Sequence, residues 1–215
     1  MQRPAPAPKI FLLSPASATG IRARQLRSRR AGFPAAERLR SLQGLPIAEA
    51  FSFMSALYFR GKIAYARRFA AAPPEMPAIL VIAPGFGLVP PDWGLTVERL
   101  RKLARTPVDL SSRAYVRPLR QQARELGERL SPTARVILLG SIATGKYRDL
   151  LSPILGERLL YPRAFLGAGD MQRGSMMLRA ALAGVELEYT PCEAQWQRRK
   201  PQQDRAAPAS SSGDR

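Results

Sequence analysis

The run Val136-Ile-Leu-Leu139, continuing into Gly140-Ser-Ile-Ala-Thr-Gly145-Lys146-Tyr147, decides how this chain is read. Four consecutive apolar residues suit a strand buried on both faces, not one that alternates between core and solvent. The small residues after it make a tight turn, and Tyr147–Leu155 then has helical spacing. Strand, glycine turn and helix in that order form the unit of a parallel sheet.

The same continuous apolar pattern occurs at Ile10-Phe-Leu-Leu13, which ends in Ser14-Pro15, and at Ile79-Leu-Val-Ile82, which ends in Pro84. Arg158–Tyr161 is a shorter fourth strand, and Val185–Tyr189 is an edge-strand candidate. Between them lie helical stretches. Ala48–Ala70 has apolar residues at helical spacing, interrupted at Gly61; Thr96–Ala104, Arg117–Leu130 and Gln172–Ala183 follow, with Gly184 placed as a helix C-cap. The predicted fold is α/β, a doubly wound and mostly parallel sheet of about four strands with helices on both faces. Residues 1–9 read as a flexible N-terminus, 10–190 as a single α/β domain, and 191–215 as a disordered basic and Ser-rich tail. No internal repeat is visible.

Composition narrows the chemistry. Among 215 residues there is no histidine and one cysteine, Cys192. Ser-His-Asp and Cys-His catalysis and His-ligated zinc are therefore excluded, and a disulfide framework with them. No apolar run reaches the roughly 20 residues that span a bilayer, so a cytoplasmic protein without membrane contact is expected. The formal charge is +18, with 34 basic and 16 acidic residues. The excess is spread along the chain, with one concentration at Arg22–Arg30 that has no interleaved aromatic residues. Only five of the basic residues are lysines, a bias that arginine-rich codon usage also produces. Either a solvated basic surface or a polyanion partner accounts for this charge.

In open parallel sheets, ligands settle beyond the carboxyl ends of the strands. Here those ends are Ser14–Gly20, Pro84–Asp92, Gly140–Tyr147 and Pro162–Asp170, all rich in Gly, Ser, Thr, Pro or Asp. Gly140, Ser141, Thr144, Gly145 and Lys146 match the spacing of a phosphate-binding loop, in which backbone amides cradle an anion and the lysine meets its charge. Tyr147 stands where such a loop would place a magnesium-binding hydroxyl, so triphosphate hydrolysis is not expected. Gly85 and Gly87 flank Phe86, which offers a face for a planar ring, and Asp92 offers a hydrogen-bond acceptor. Ser14 and Ser17 end the first strand. A serine nucleophile without histidine needs a lysine base, and Lys146 is the lysine in a suggestive place. Asp170 is either a helix cap or a site carboxylate, with Arg173 as an anion clamp. If the chain is an enzyme, Asp92 and Asp170 are the candidates for proton transfer. Tyr58-Phe-Arg60-Gly-Lys62 lies on a helix where Arg60 and Lys62 point to different faces. No metal or cofactor is assigned.

Four strings carry a resemblance: Tyr58-Phe-Arg-Gly-Lys62, Leu138-Leu-Gly-Ser-Ile-Ala-Thr-Gly-Lys-Tyr147, Gly156-Glu-Arg-Leu-Leu160 and Gly169-Asp-Met-Gln-Arg-Gly174. Through them residues 10–190 resemble a bacterial protein family of uncharacterised activity. More distantly, the order of elements around Pro84-Gly-Phe-Gly-Leu-Val-Pro-Pro-Asp92 is similar to small α/β domains found near nucleobase- and tRNA-modifying enzymes. Those domains place a cysteine and a lysine after the first strand, where this chain has Ser14, Ala16 and Ser17. Together the strand-end loops imply a small phosphate-bearing or nucleobase-like ligand, with nucleotide or glycosyl-bond chemistry as the class if there is a reaction. The alternative is a non-catalytic nucleic-acid-associated protein that uses Arg22–Arg30.

Overall fold

The central strand, β1 (Lys9–Leu13), is buried on both sides, with Ile10, Phe11, Leu12 and Leu13 all inaccessible to solvent. Two parallel neighbours flank it: β3 (Ile79–Ala83) and β6 (Arg135–Leu139). A further parallel strand, β7 (Leu159–Pro162), pairs with β6. Two antiparallel strands close the edges, β4 (Gly87–Val89) beside β3 and β8 (Tyr189–Pro191) beside β7. The sheet order is β4-β3-β1-β6-β7-β8. A small separate sheet pairs β2 (Leu45–Pro46) with β5 (Gly94–Leu95). This is a computed structural model, and it describes residues 7–192.

Alternation along the strands sorts the core into two layers. Ile10, Leu12, Val136 and Leu138 pack with α6 (Arg113–Arg129) and α7 (Arg148–Leu155). Phe11, Leu13, Ile137 and Leu139 face the other way. They meet α1 (Ile21–Arg27), α2 (Pro34–Arg40), α3 (Ile47–Ser55), α4 (Leu57–Phe69), α5 (Val97–Arg105) and α8 (Asp170–Ala183). Period-2 side-chain alternation in a strand with apolar residues at every position produces such a two-sided core.

The four expected strands are present and parallel, but the sheet has six strands, not about four. Both additions are short antiparallel edges. The last edge strand starts at Tyr189, four residues later than expected, and Val185–Glu188 belongs to no helix or strand. Lys9 already belongs to β1 and forms a 2.6 Å ion pair with Glu186, and Cys192 is fully buried. Strand β1 thus begins at Lys9 and β8 ends at Pro191. Expectations for residues 1–6 and 193–215 lie outside the described residues.

Gly61 does not interrupt the helix over 48–70. The break falls at Ala56, whose φ of 46° lies in the region that L-residues avoid. Gly61 instead lets α4 and α8 cross backbone to backbone. A Cβ at Gly61 would lie 2.5 Å from the Gly174 carbonyl oxygen, and one at Gly174 would lie 2.9 Å from Tyr58 Cα. Tyr58–Lys62 and Gly169–Gly174 thus meet at one helix crossing. Among the described residues no helix is long and apolar enough to cross a membrane.

Candidate functional site

The chain leaves β1 toward β3 on one side of the sheet and returns to β6 on the other, so the strand order reverses at β1. At that reversal, beyond the carboxyl ends of β1, β3 and β6, lies a cavity of about 490 Å³. Loops after adjacent parallel strands that lead to opposite sides cannot pack on each other, and a crevice remains between them.

Polar groups cluster at one end of the cavity: Ser14 and Ser17 after β1, Ser141, Lys146 and Tyr147 after β6, and Asp170 at the start of α8. Phe51, Met54, Tyr58, Leu103 and Val108 add apolar surface to the same lining. Of the residues singled out in sequence, Ser14, Ser17, Ser141, Lys146, Tyr147 and Asp170 therefore share one hollow.

The remaining candidates have other tasks. Pro84-Gly-Phe-Gly87 is the turn of the β3–β4 hairpin, with the Phe86 amide donating to the Ala83 carbonyl at 2.9 Å. Gly85 and Gly87 supply the positive φ values of 84° and 89° that this turn needs. Phe86 packs 5.0 Å from Trp93 and under the Lys102 ammonium at 4.3 Å, and it does not line the cavity. Asp92 is exposed in the turn before β5. The cap of α5 is Thr96, not Asp92.

The 140–146 loop departs from a phosphate cradle. Thr144 points to solvent, and a Cβ on Gly145 would collide with the Asp149 carboxylate, which is itself paired with Arg148. A carboxylate of the chain thus lies against the turn where a cradled phosphate would sit. Gly140 has a different use. A Cβ there would lie 3.0 Å from Ser14 Cβ, so its absence makes room for the serine side chain. Lys146 itself is held on the cavity wall, its carbonyl accepting a 3.0 Å hydrogen bond from Tyr115.

No family model, curated protein or solved structure matches this chain.

The site therefore stands on its own geometry, and its deepest group is one that the sequence reading passed over. Lys62, completely buried on α4, approaches Ser14 from behind the cavity wall. Its Nζ donates to the Ser14 carbonyl at 3.0 Å and shares a 2.7 Å hydrogen bond with Ser14 Oγ. The Tyr58 ring covers the ammonium at 3.8 Å. Burial disfavours the charged form and brings its pKa down to about 7; Asp170 opposes the drop, while Arg173 and Lys146 add to it. The lysine that hydrogen-bonds a serine is thus Lys62, where the sequence pointed to Lys146. A signal was present in the sequence: Tyr58, Lys62, Tyr65 and Phe69 recur at helical spacing, which puts a lysine inside an apolar stripe.

Tyr58 has a buried hydroxyl with no hydrogen-bond partner. Burial raises its pKa to about 12, partly offset by Arg173 and Ser14, which lie near enough to act on it. Tyr147 is also pushed upward by burial, and the nearby Ser14 hydroxyl moderates the shift. Both phenols are held as neutral donors. Arg173 is buried behind the wall, donating to the Phe165 carbonyl at 3.3 Å and pairing with Asp170 at 3.4 Å. The α8 terminus is capped by Gln172, whose side chain accepts from the Gly169 amide at 3.0 Å. Asp170 is left mostly exposed at the cavity rim. Lys146, Lys62 and Arg173 outnumber the single carboxylate. Among the described residues no cluster of His, Cys, Asp or Glu could hold a metal ion.

Arg22, Arg24, Arg29 and Arg30 are exposed on and after α1, and they do not line the cavity.

Proposed function

We propose that the cavity at the ends of β1, β3 and β6 binds a small phosphate-bearing or nucleobase-like ligand. The observation that carries this is the set of polar residues, Ser14, Ser17, Ser141 and Lys146, that line one cavity together with Tyr58, whose hydroxyl is buried. A buried, unsatisfied hydroxyl costs about 1–3 kcal/mol, and a ligand oxygen that accepts from it recovers that cost. A doubly wound arrangement, with the strand order reversing at β1, puts the hollow where such sheets bind their ligands. Its volume of about 490 Å³ is within the range of small-molecule sites, roughly 300–1,000 Å³. Lys146 meets the anionic group, Ser17 and Ser141 supply further hydrogen bonds, and Phe51, Met54, Leu103 and Val108 take the less polar part. The single cysteine suits a reducing, cytoplasmic compartment.

Thermal-shift titration with inorganic phosphate, nucleobases and nucleoside monophosphates tests this. A ligand at about 100 times its Kd adds about 2.7 kcal/mol, a Tm rise of roughly 5–10 °C for a chain of this size. Lys146→Ala and Tyr58→Phe should each weaken the response while leaving the unliganded Tm close to its original value. A rise that survives both substitutions would move the ligand elsewhere. A response to oligonucleotides alone, falling steeply with salt, would favour the Arg22–Arg30 surface instead.

A further inference from the structure

Ser14 stands between the cavity and Lys62: the serine lines the hollow, and the lysine does not. The serine is fixed from three sides. Its amide donates to the Leu139 carbonyl at 3.1 Å, its carbonyl accepts from Lys62, and Gly140 leaves its Oγ unobstructed. Tyr58, whose buried hydroxyl lies within reach of Ser14 and Arg173, adjoins the same serine. We propose that Ser14 is a nucleophile, Lys62 its general base and Tyr58 the donor that stabilises the oxyanion, in acyl transfer from an ester bearing an anionic group. The choice of substrate rests on the cavity being the ligand site; the dyad itself does not.

In this step the neutral Lys62 amine takes the Ser14 Oγ proton as Oγ bonds to the carbonyl carbon. The carbonyl electron pair moves to its oxygen, which accepts a hydrogen bond from Tyr58 Oη. Collapse of the tetrahedral intermediate breaks the bond to the alcohol, and the alkoxide takes the proton from Lys62. A water molecule then repeats the sequence on the acyl-serine, releasing a carboxylic acid and restoring the Ser14 hydroxyl. The lowered Lys62 pKa keeps a useful fraction unprotonated near neutrality, and the raised Tyr58 pKa keeps that group a donor.

The test is covalent labelling of the full chain with an uncharged fluorophosphonate, followed by intact mass and peptide mapping. One adduct is expected, on Ser14, at a rate that rises through pH about 7 in step with Lys62 deprotonation. Ser14→Ala should carry no adduct with its Tm retained, and Lys62→Met should label about 100-fold or more slowly. If Lys62→Met does not fold, the pH profile of the unaltered protein still decides. No adduct on the folded protein, an adduct elsewhere, or a Ser14 labelling rate indifferent to pH near 7 overturns the dyad. The reagent carries no anion, so a failed phosphate reading leaves labelling intact. A failed dyad leaves the nucleotide-dependent Tm shift intact.

Discussion

Ser14 Oγ and Lys62 Nζ lie 2.7 Å apart, with the serine facing the cavity and the lysine sealed behind it. The pair joins the end of β1 to the middle of α4 and gives the site a group that titrates near neutrality.

Lys62 leaves a signature in stability. Its pKa of about 7 in the folded protein is depressed from an ordinary 10.4 or so in the unfolded chain. Below about 7 both states hold the proton, and the full cost of burying a charge is present. Between about 7 and 10 the unfolded chain alone holds it, so stability rises with pH by up to about 1.4 kcal/mol per unit. Relative to Lys62→Met, the unaltered protein should gain roughly 2 kcal/mol between pH about 7 and 9. Urea unfolding of both proteins across that window measures it, and parallel curves would contradict it.

The α4–α8 crossing allows no side chain at its closest point. Gly61→Ala puts a methyl 2.5 Å from the Gly174 carbonyl oxygen, so the helices must separate. Overpacking of this kind costs about 1–3 kcal/mol. Because Tyr58 and Lys62 flank Gly61, the ligand response and the Ser14–Lys62 contact should weaken with it. Tm and ligand-induced Tm shift measured on the same variant check both effects.

Phe86 and Asp92 have the look of site residues in the sequence and none of the position. Phe86→Ala removes a ring wedged between Trp93 and Lys102, and it should lower Tm while leaving any ligand-induced shift intact. Asp92→Asn should change neither. A loss of ligand response in either variant would place the ligand nearer the β3–β4 hairpin than the cavity.

Much of this was legible, and the reasons differ by element. The strands were readable because Ile10–Leu13, Ile79–Ile82 and Val136–Leu139 are apolar at every position, a pattern that a two-sided sheet imposes. The edge strand β4 was not, since three residues with one covered face leave too short a trace, and the edge expected at Val185–Tyr189 begins only at Tyr189. Helices α1 and α2 leave little trace in the sequence because each buries only two residues, Ala23 and Leu26 in one and Ala36 and Leu39 in the other, amid many arginines. For the site, the strand-end rule points to Ser14, Ser17, Ser141, Lys146, Tyr147 and Asp170, which line one hollow. It also points to Gly85–Gly87, which form the β3–β4 hairpin turn and lie outside that lining. Lys62 and Tyr58 were beyond it because they arrive from a helix crossing the strand ends, a contact that only the Gly61–Gly174 approach creates.

Lys146 separates the cavity from the basic surface. Lys146→Ala removes the cation on the cavity wall and leaves Arg22, Arg24, Arg29 and Arg30 untouched. It should therefore weaken the Tm response to a nucleoside monophosphate while leaving any salt-sensitive oligonucleotide binding unchanged. Loss of both together would tie the two surfaces into one.

The position of a bound anion is the most direct measurement of all. Crystals soaked in a nucleoside monophosphate should show the phosphate within hydrogen-bonding reach of Lys146 Nζ, with an oxygen accepting from Tyr58 Oη and the base against Phe51 and Met54. Density on the arginines after α1, with the hollow beyond β1 and β6 holding only solvent, would contradict the account.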